Sequence, residues 1–231
     1  MAGGRITARD ETAAPRAVLW DLDGTLADSR NYHWRSWRSV LDAEEVHVTE
    51  SDFLASFGQR NDEILTAWLG SRADPRRIQR IGDAKEASYR SMIAADGLVP
   101  LPGAAEWVRS LHETGWLQAI ASSAPRLNVE VMRRALGFEQ LIETYVGAED
   151  VRSGKPDPEV FLTAAARLDV PPHRCIVVED AAAGIEAARR AGMKSFGVGS
   201  GARAGADIAV ESLADLPRHA FERLLNSGAE R

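Results

Sequence analysis

The sequence predicts an α/β protein, a parallel sheet with helices on both faces plus an inserted all-helical unit, on three observations. Short apolar runs alternate with amphipathic helical stretches, the pattern of βαβ units. Two of those runs stop at acidic pairs, Asp21-Leu-Asp23 and Glu179-Asp180. Between about Ser29 and Leu98 the alternation gives way to 3.6-residue periodicity rich in Trp, Arg and acidic side chains, with no strand pattern.

The strands expected in order are Ala17-Val-Leu-Trp20, Leu117-Gln-Ala-Ile-Ala121, Thr144-Tyr-Val-Gly147, Cys175-Ile-Val-Val178, Ser195-Phe-Gly-Val198 and Ile208-Ala-Val210. Helices are expected between them over Ala104 to Thr114, Arg126 to Leu136, Glu159 to Leu168 and Ala181 to Ala191. Gly115, Gly137 and Gly192 close three of these in the usual C-terminal manner. Pro100-Leu-Pro-Gly103 reads as a stiff linker with one flexible point out of the helical insert. The resulting division is a core of residues 1–28 and 100–231, an insert of 29–99, and a flexible leader over 1–16.

Bulk properties bound the function. With 231 residues the chain can bury a sizeable core, and 45% apolar with 27% charged residues describes an ordinary globule. A net charge of -6 and the absence of long basic runs argue against nucleic acid as the main partner. Nothing approaches the ~20 apolar residues of a membrane span, so no membrane partner and a cytoplasmic location are expected. Cys175, the one cysteine, sits in an apolar run and reads as a packed thiol.

The acidic pairs carry the chemistry. Alternate residues of a strand face one side, so Asp21 and Asp23 converge if the extended conformation persists past Trp20. Two such charges ~4 Å apart at an effective dielectric of ~20 repel by roughly 4 kcal/mol, relieved by a metal ion or a strongly raised pKa. Ligands of parallel sheets gather at the carboxyl ends of the strands, where Glu179 and Asp180 can join them. An all-oxygen donor set without His or Cys favours Mg2+.

Ser122 and Ser123 place hydroxyl and N–H groups at another strand end just before a helix, an anion site. Lys155 stands in a loop stiffened by Pro156 and Pro158 and is one of only three lysines in an arginine-dominated chain, which suggests a need for a compact point charge. Together these groups fit phosphoryl transfer: Asp21 attacks phosphorus, Asp23 works as acid and base, and Mg2+ with Lys155 neutralises the phosphate oxygens.

Asp21-x-Asp-Gly-Thr, Ser122, Lys155 and Glu179-Asp180 match in order and spacing the four motifs of the haloacid dehalogenase-like phosphohydrolase superfamily, over nearly the whole chain after Arg16. The resemblance implies a Rossmann-like core, Asp21 as nucleophile, Asp23 as acid/base, and Ser122 and Lys155 as phosphate holders. It also implies Mg2+ bound by Asp21, the Asp23 carbonyl and Asp180, with Glu179 binding the metal or its waters. Asp23 disfavours the dehalogenases themselves, which lack a second aspartate there.

The helical insert resembles the cap of the β-phosphoglucomutase-like branch. By that likeness His33 couples cap closure to the acid/base, and Lys85 reaches toward a bound phosphosugar. Where the mutases carry Gly-x-x-Arg to grip a second phosphate, this chain reads Gly58-Gln-Arg60-Asn61, with arginine one place early. Thr25 and Ala181 also differ from the mutase pattern. The expectation is a monomeric, Mg2+-dependent phosphatase of small phosphorylated metabolites, sugar phosphates by resemblance, with a β-phosphoglucomutase-type phosphomutase as the alternative.

Overall fold

The computed structural model describes residues 14–57 and 59–227. Six parallel strands form one sheet in the order β3-β2-β1-β4-β5-β6. They are β1 (Ala17–Trp20), β2 (Leu117–Ala121), β3 (Thr144–Val146), β4 (Cys175–Glu179), β5 (Lys194–Val198) and β6 (Ile208–Val210). The first strand is central because it is apolar on both sides: all four residues of β1 are fully buried.

Side chains alternate between two apolar layers. Val18, Trp20, Ile120, Ile176, Val178 and Phe196 face one cluster. It also contains side chains of α5 (Ala104–Glu113), α6 (Arg126–Ala135) and α9 (Ala220–Asn226). Ala17, Leu19, Ala119, Ala121 and Val177 face the other, against α7 (Glu159–Arg167) and α8 (Ala182–Arg190). Gly115, Gly137 and Gly192 each follow a helix with φ of +76°, +71° and +70°, the left-handed stop that the sequence suggests.

Strand order reverses between β1 and β4, which lie side by side with Trp20 opposite Val178. Their carboxyl ends therefore open one crevice. The strand β4 runs one residue further than its apolar run, through the buried Glu179, so that carboxylate belongs to the strand itself.

The insert forms α1 (Arg30–Ala43), α2 (Glu50–Ser56), α3 (Asn61–Leu69) and α4 (Pro75–Asp96) around its own cluster, including Trp37, Leu41, Phe53, Leu65 and Ile81. Its helix starts are locally encoded: Thr49 and Asp52 form a capping box, and Asp74 accepts the Arg76 and Arg77 N–H groups at 3.0 Å just ahead of Pro75. The two crossings between insert and sheet run together, with an Ala27 to Pro100 bridge and Leu101 N–H donating to the Leu26 carbonyl at 2.9 Å.

Most of the expected leader, residues 1–13, lies outside the described residues. Its last three residues are fastened to the core, contrary to the expectation of a free segment through Arg16. Arg174 donates to the Ala14 and Pro15 carbonyls at 2.8 and 2.9 Å, and Arg16 stacks 4.4 Å from the Trp116 ring. Among the described residues, no helix is long and apolar enough to cross a membrane.

One polar side chain sits inside the sheet layer. Gln118 is fully buried, accepts Trp20 Nε1–H at 2.9 Å, and donates to the Val108 and Leu141 carbonyls at 2.9 Å each. Gln118→Leu would leave the buried Trp20 indole N–H without a partner, remove two further hydrogen bonds and cost about 3 kcal/mol. Urea unfolding should show this as a lower midpoint at unchanged slope; a loss below about 1 kcal/mol would contradict it.

Candidate active site

At the crevice, backbone pairing brings the acidic strand ends together: Asp21 N–H donates to the Val178 carbonyl at 2.9 Å, and Asp180 follows directly on β4. Carboxylate oxygens of Asp21, Glu179 and Asp180 lie within 4.8 Å of one another. Lys155 Nζ reaches in from the loop before α7, 2.5 Å from Asp21 Oδ1 and 2.7 Å from Glu179 Oε2. That loop is tied to α7 by Glu159, whose Oε2 accepts the Arg152 and Ser153 N–H groups at 2.8 and 3.1 Å.

Close backbone approach shapes the same spot. Gly24 has φ +92°, and a Cβ there would run into the Asp180 carboxylate. A Cβ on Gly184 of α8 would likewise strike the Glu179 carboxylate, whose Oε1 accepts the Asp180 and Ala181 N–H groups at 3.2 and 3.1 Å.

The charge balance calls for a further cation. Burial, then the Glu179 charge, raises Asp21 well above the usual carboxylate range despite Lys155. Burial and Glu179 push Asp180 up to about 7. Burial opposes charge on Lys155, but Asp21 and Glu179 outweigh it and raise its pKa. Three carboxylates against one ammonium leave two negative charges when all are ionised, and every donor in the group is oxygen. A hard divalent ion fits that set.

Asp23 does not join this group. The strand ends at Trp20, and Asp23 already belongs to a tight flap in which Gly24 N–H donates to the Ala27 carbonyl at 2.9 Å. Both Asp21 and Asp23 face the same cavity, but only Asp21 belongs to the acidic group, since the regular strand stops at Trp20 and Asp23 has partners of its own. Asp23 Oδ1 accepts from the Ser29 hydroxyl and lies 3.2 Å from His33 Nε2.

His33 Nδ1 in turn lies 2.8 Å from Lys85 Nζ, so Nε2 carries the proton toward Asp23 and Nδ1 accepts from the ammonium. Its ring stacks on Tyr89 with centroids 4.2 Å apart. Burial, then the Lys85 charge, lowers the His33 pKa. Burial works against charge on Asp23, but the His33 and Ser29 contacts outweigh it and hold that carboxylate below its ordinary range.

The remaining sequence candidates line one cavity of about 780 Å³ between sheet and insert. Ser122 is buried at the end of β2, with its Oγ accepting the Ala124 N–H at 3.0 Å, and Ser123 follows it on the cavity wall. The start of α6 is less open than the sequence suggests, since Glu149 already accepts the Arg126 N–H at 2.9 Å. Arg60 passes over the lysine loop, its Cδ 3.7 Å from where a Gly154 Cβ would sit. Gly58 lies outside the described residues.

Asn61 and Lys85 meet at Glu86 on the cavity wall: Asn61 Nδ2 donates to Glu86 Oε1 at 2.6 Å, and Lys85 Nζ to the same oxygen at 2.7 Å. Glu86, Ser29, Arg90 and Asn128 are the polar groups that the sequence reading missed. A charge next to Lys85 on a helix is an ordinary surface pattern, and Asn128 carries no local signal.

The family model for haloacid dehalogenase-like hydrolases matches residues 15–192. The β-phosphoglucomutase of Bacillus subtilis strain 168 is 32% identical over 210 residues, covering 87% of this chain and 91% of that protein. A fructose-1-phosphate phosphatase of Escherichia coli strain K12 is 32% identical over 184 residues, 78% of this chain and 95% of the relative. Among solved structures, β-phosphoglucomutase from Clostridium difficile superposes with a TM-score of 0.84 at 26% identity, covering 94% of this chain and all of that one. The strand order, the four motif positions at one crevice and these likenesses agree: the chain belongs to the haloacid dehalogenase-like hydrolases, as a phosphoryl-transfer enzyme of the β-phosphoglucomutase-like kind.

Proposed function

We propose that the protein is a Mg2+-dependent, cytoplasmic and monomeric phosphatase of small phosphorylated metabolites, sugar phosphates foremost, working through an aspartyl-phosphate on Asp21. One observation carries this reading: the two aspartates of the first motif have separate partners, Asp21 with Lys155 and Glu179, Asp23 with His33 and Ser29. That separation supports nucleophilic work at one carboxylate, beside a cation, and proton transfer at the other.

In the first step an Asp21 oxygen bonds to phosphorus, the ester P–O bond breaks, and Asp23 gives its proton to the leaving oxygen. In the second, water attacks phosphorus, Asp23 takes the water proton, and the bond to Asp21 breaks to release phosphate. Lys155 and Ser122, with Ser123 beside them, hold the phosphate oxygens. Asp21, the Asp23 carbonyl, Asp180 and Glu179 would hold Mg2+, which when bound neutralises charge developing on the phosphoryl group. His33 and Ser29 keep Asp23 ionised before substrate arrives, and the approaching phosphate dianion favours its protonation. Residues 29–99 act as a cap that excludes water during transfer and admits it for hydrolysis, swinging on 28–30 and 99–103.

Substrate choice falls to the cap. Arg60, one place early relative to the mutase pattern, and Asn61, engaged by Glu86, leave no obvious grip for a second phosphate. The fructose-1-phosphate phosphatase among the relatives supports a sugar-phosphate substrate. The β-phosphoglucomutase likeness favours the second reading, in which a sugar hydroxyl replaces water as acceptor.

Asp21→Asn should lower kcat by at least about 10⁴-fold in a phosphate-release assay across a panel of sugar phosphates, with a chelator doing the same and Mg2+ restoring it. Full turnover by that variant would remove the nucleophile. Mg2+ at 100 times its Kd should stabilise the folded chain by about 2.7 kcal/mol, seen as a higher Tm, and Asp180→Asn should abolish the shift. Supplied with β-glucose 1-phosphate and a trace of the 1,6-bisphosphate, the enzyme should release phosphate. Rapid formation of glucose 6-phosphate with little free phosphate would make it a mutase instead.

A further inference from the structure

Outside the carboxylate cluster, a carboxylate from the insert and a carboxamide from the sheet layer meet across the cavity wall. Glu86 lies on α4 and Asn128 on α6, and both are buried. Asn128 Nδ2 donates to Glu86 Oε2. Arg90, one helical turn beyond Glu86 on the same face, donates to Asn128 Oδ1 at 2.9 Å. The amide is therefore matched at both ends, its donor by a carboxylate and its acceptor by a guanidinium.

The other oxygen of Glu86 takes Asn61 Nδ2 and Lys85 Nζ, Lys85 continues to His33, and His33 to Asp23. An unbroken line of polar contacts thus runs from α6, which begins just after Ser122 and Ser123, across to α4 and back to Asp23. Lys85 is 1% exposed, and Glu86 is the carboxylate that it touches. A buried ammonium without its counter-charge is costly, so the place of Lys85 depends on Glu86 being ionised. Glu86 keeps its charge against burial through Lys85, Asn61 and Asn128. Lifting α4 from α6 would strip Asn128 from that set.

We propose that Glu86 is a positioning residue that couples docking of the cap to the acid/base: clasped by Asn128, it holds Lys85 and His33 where they orient Asp23, and undocking releases all three. This rests on the reading of Asp23 as acid/base.

The test uses the full chain with Mg2+ and two probes, p-nitrophenyl phosphate and fructose 1-phosphate, on Glu86→Gln, Asn128→Ala and the double variant. An aryl leaving group needs no proton, so its release should survive while the water step, which needs Asp23 as base, slows. Each single variant should then show a burst of about one nitrophenolate per enzyme, followed by a steady state about 30-fold or more below wild type. With fructose 1-phosphate kcat should fall by a similar factor with KM changed less than about threefold, and no burst. The double variant should lose no more than the worse single one, since both cut one line.

Undiminished steady states in both single variants, equal loss of burst and steady state, or multiplying losses in the double variant would overturn the coupling while leaving the phosphatase reading intact. Because Asn128→Ala spares the buried ion pair, it keeps the test alive if Glu86→Gln folds poorly. Full activity of Asp21→Asn in the same assays would instead overturn the reading of the function, and the coupling with it.

Discussion

The structure depends on a repulsion that the fold cannot avoid. Placing β1 beside β4 at the point where strand order reverses forces Asp21, Glu179 and Asp180 into one crevice. Lys155 offsets part of that charge, and the loop that carries it is fastened by Glu159 for that purpose. Even the glycines follow from it, since Gly24 and Gly184 leave room for carboxylates that a methyl group would displace. The sheet topology thereby gathers an all-oxygen set that a divalent cation would fit, before any substrate contact is made.

Against that background the separation of the two motif aspartates gains meaning. Were Asp23 to share the Asp21 partners, burial and like charge would raise both and erase the distinction between nucleophile and acid/base. The flap after Trp20 instead hands Asp23 to Ser29 and His33, whose contacts lower it while Asp21 is raised. Opposite shifts on carboxylates two residues apart are what the proposed division between nucleophile and acid/base requires of one short segment.

How far the sequence was legible follows from the range of each signal. Strands whose two faces are both covered read as apolar runs, and left-handed glycines mark helix ends, so β1, β2 and the helices α5 to α8 emerge within a residue or two, whereas α9 is not anticipated. Lys155 was visible through its rarity and its proline-flanked loop. A period of two brings Asp21 and Asp23 to one cavity but does not reveal that they have different partners, because the strand stops at Trp20. The Glu86 to Asn128 contact, the Gln118 bonds and the Glu149 hold on the start of α6 join residues distant in the chain, and nothing in their neighbours announces them. The fastening of Ala14 to Arg16 was hidden for the same reason, as its partners, Arg174 and Trp116, come late.

The central place of β1 also sets an order of assembly. Its registered neighbours are Leu117 on one side and Cys175 on the other, so β1 has no sheet to enter until about a hundred and then about a hundred and fifty further residues have followed it. The helices of 30–96 close around a cluster of their own and can form in the meantime. Asp21 acquires Glu179 and Asp180 as neighbours only when β4 docks, so the acidic crevice is among the last features of the sheet to be completed.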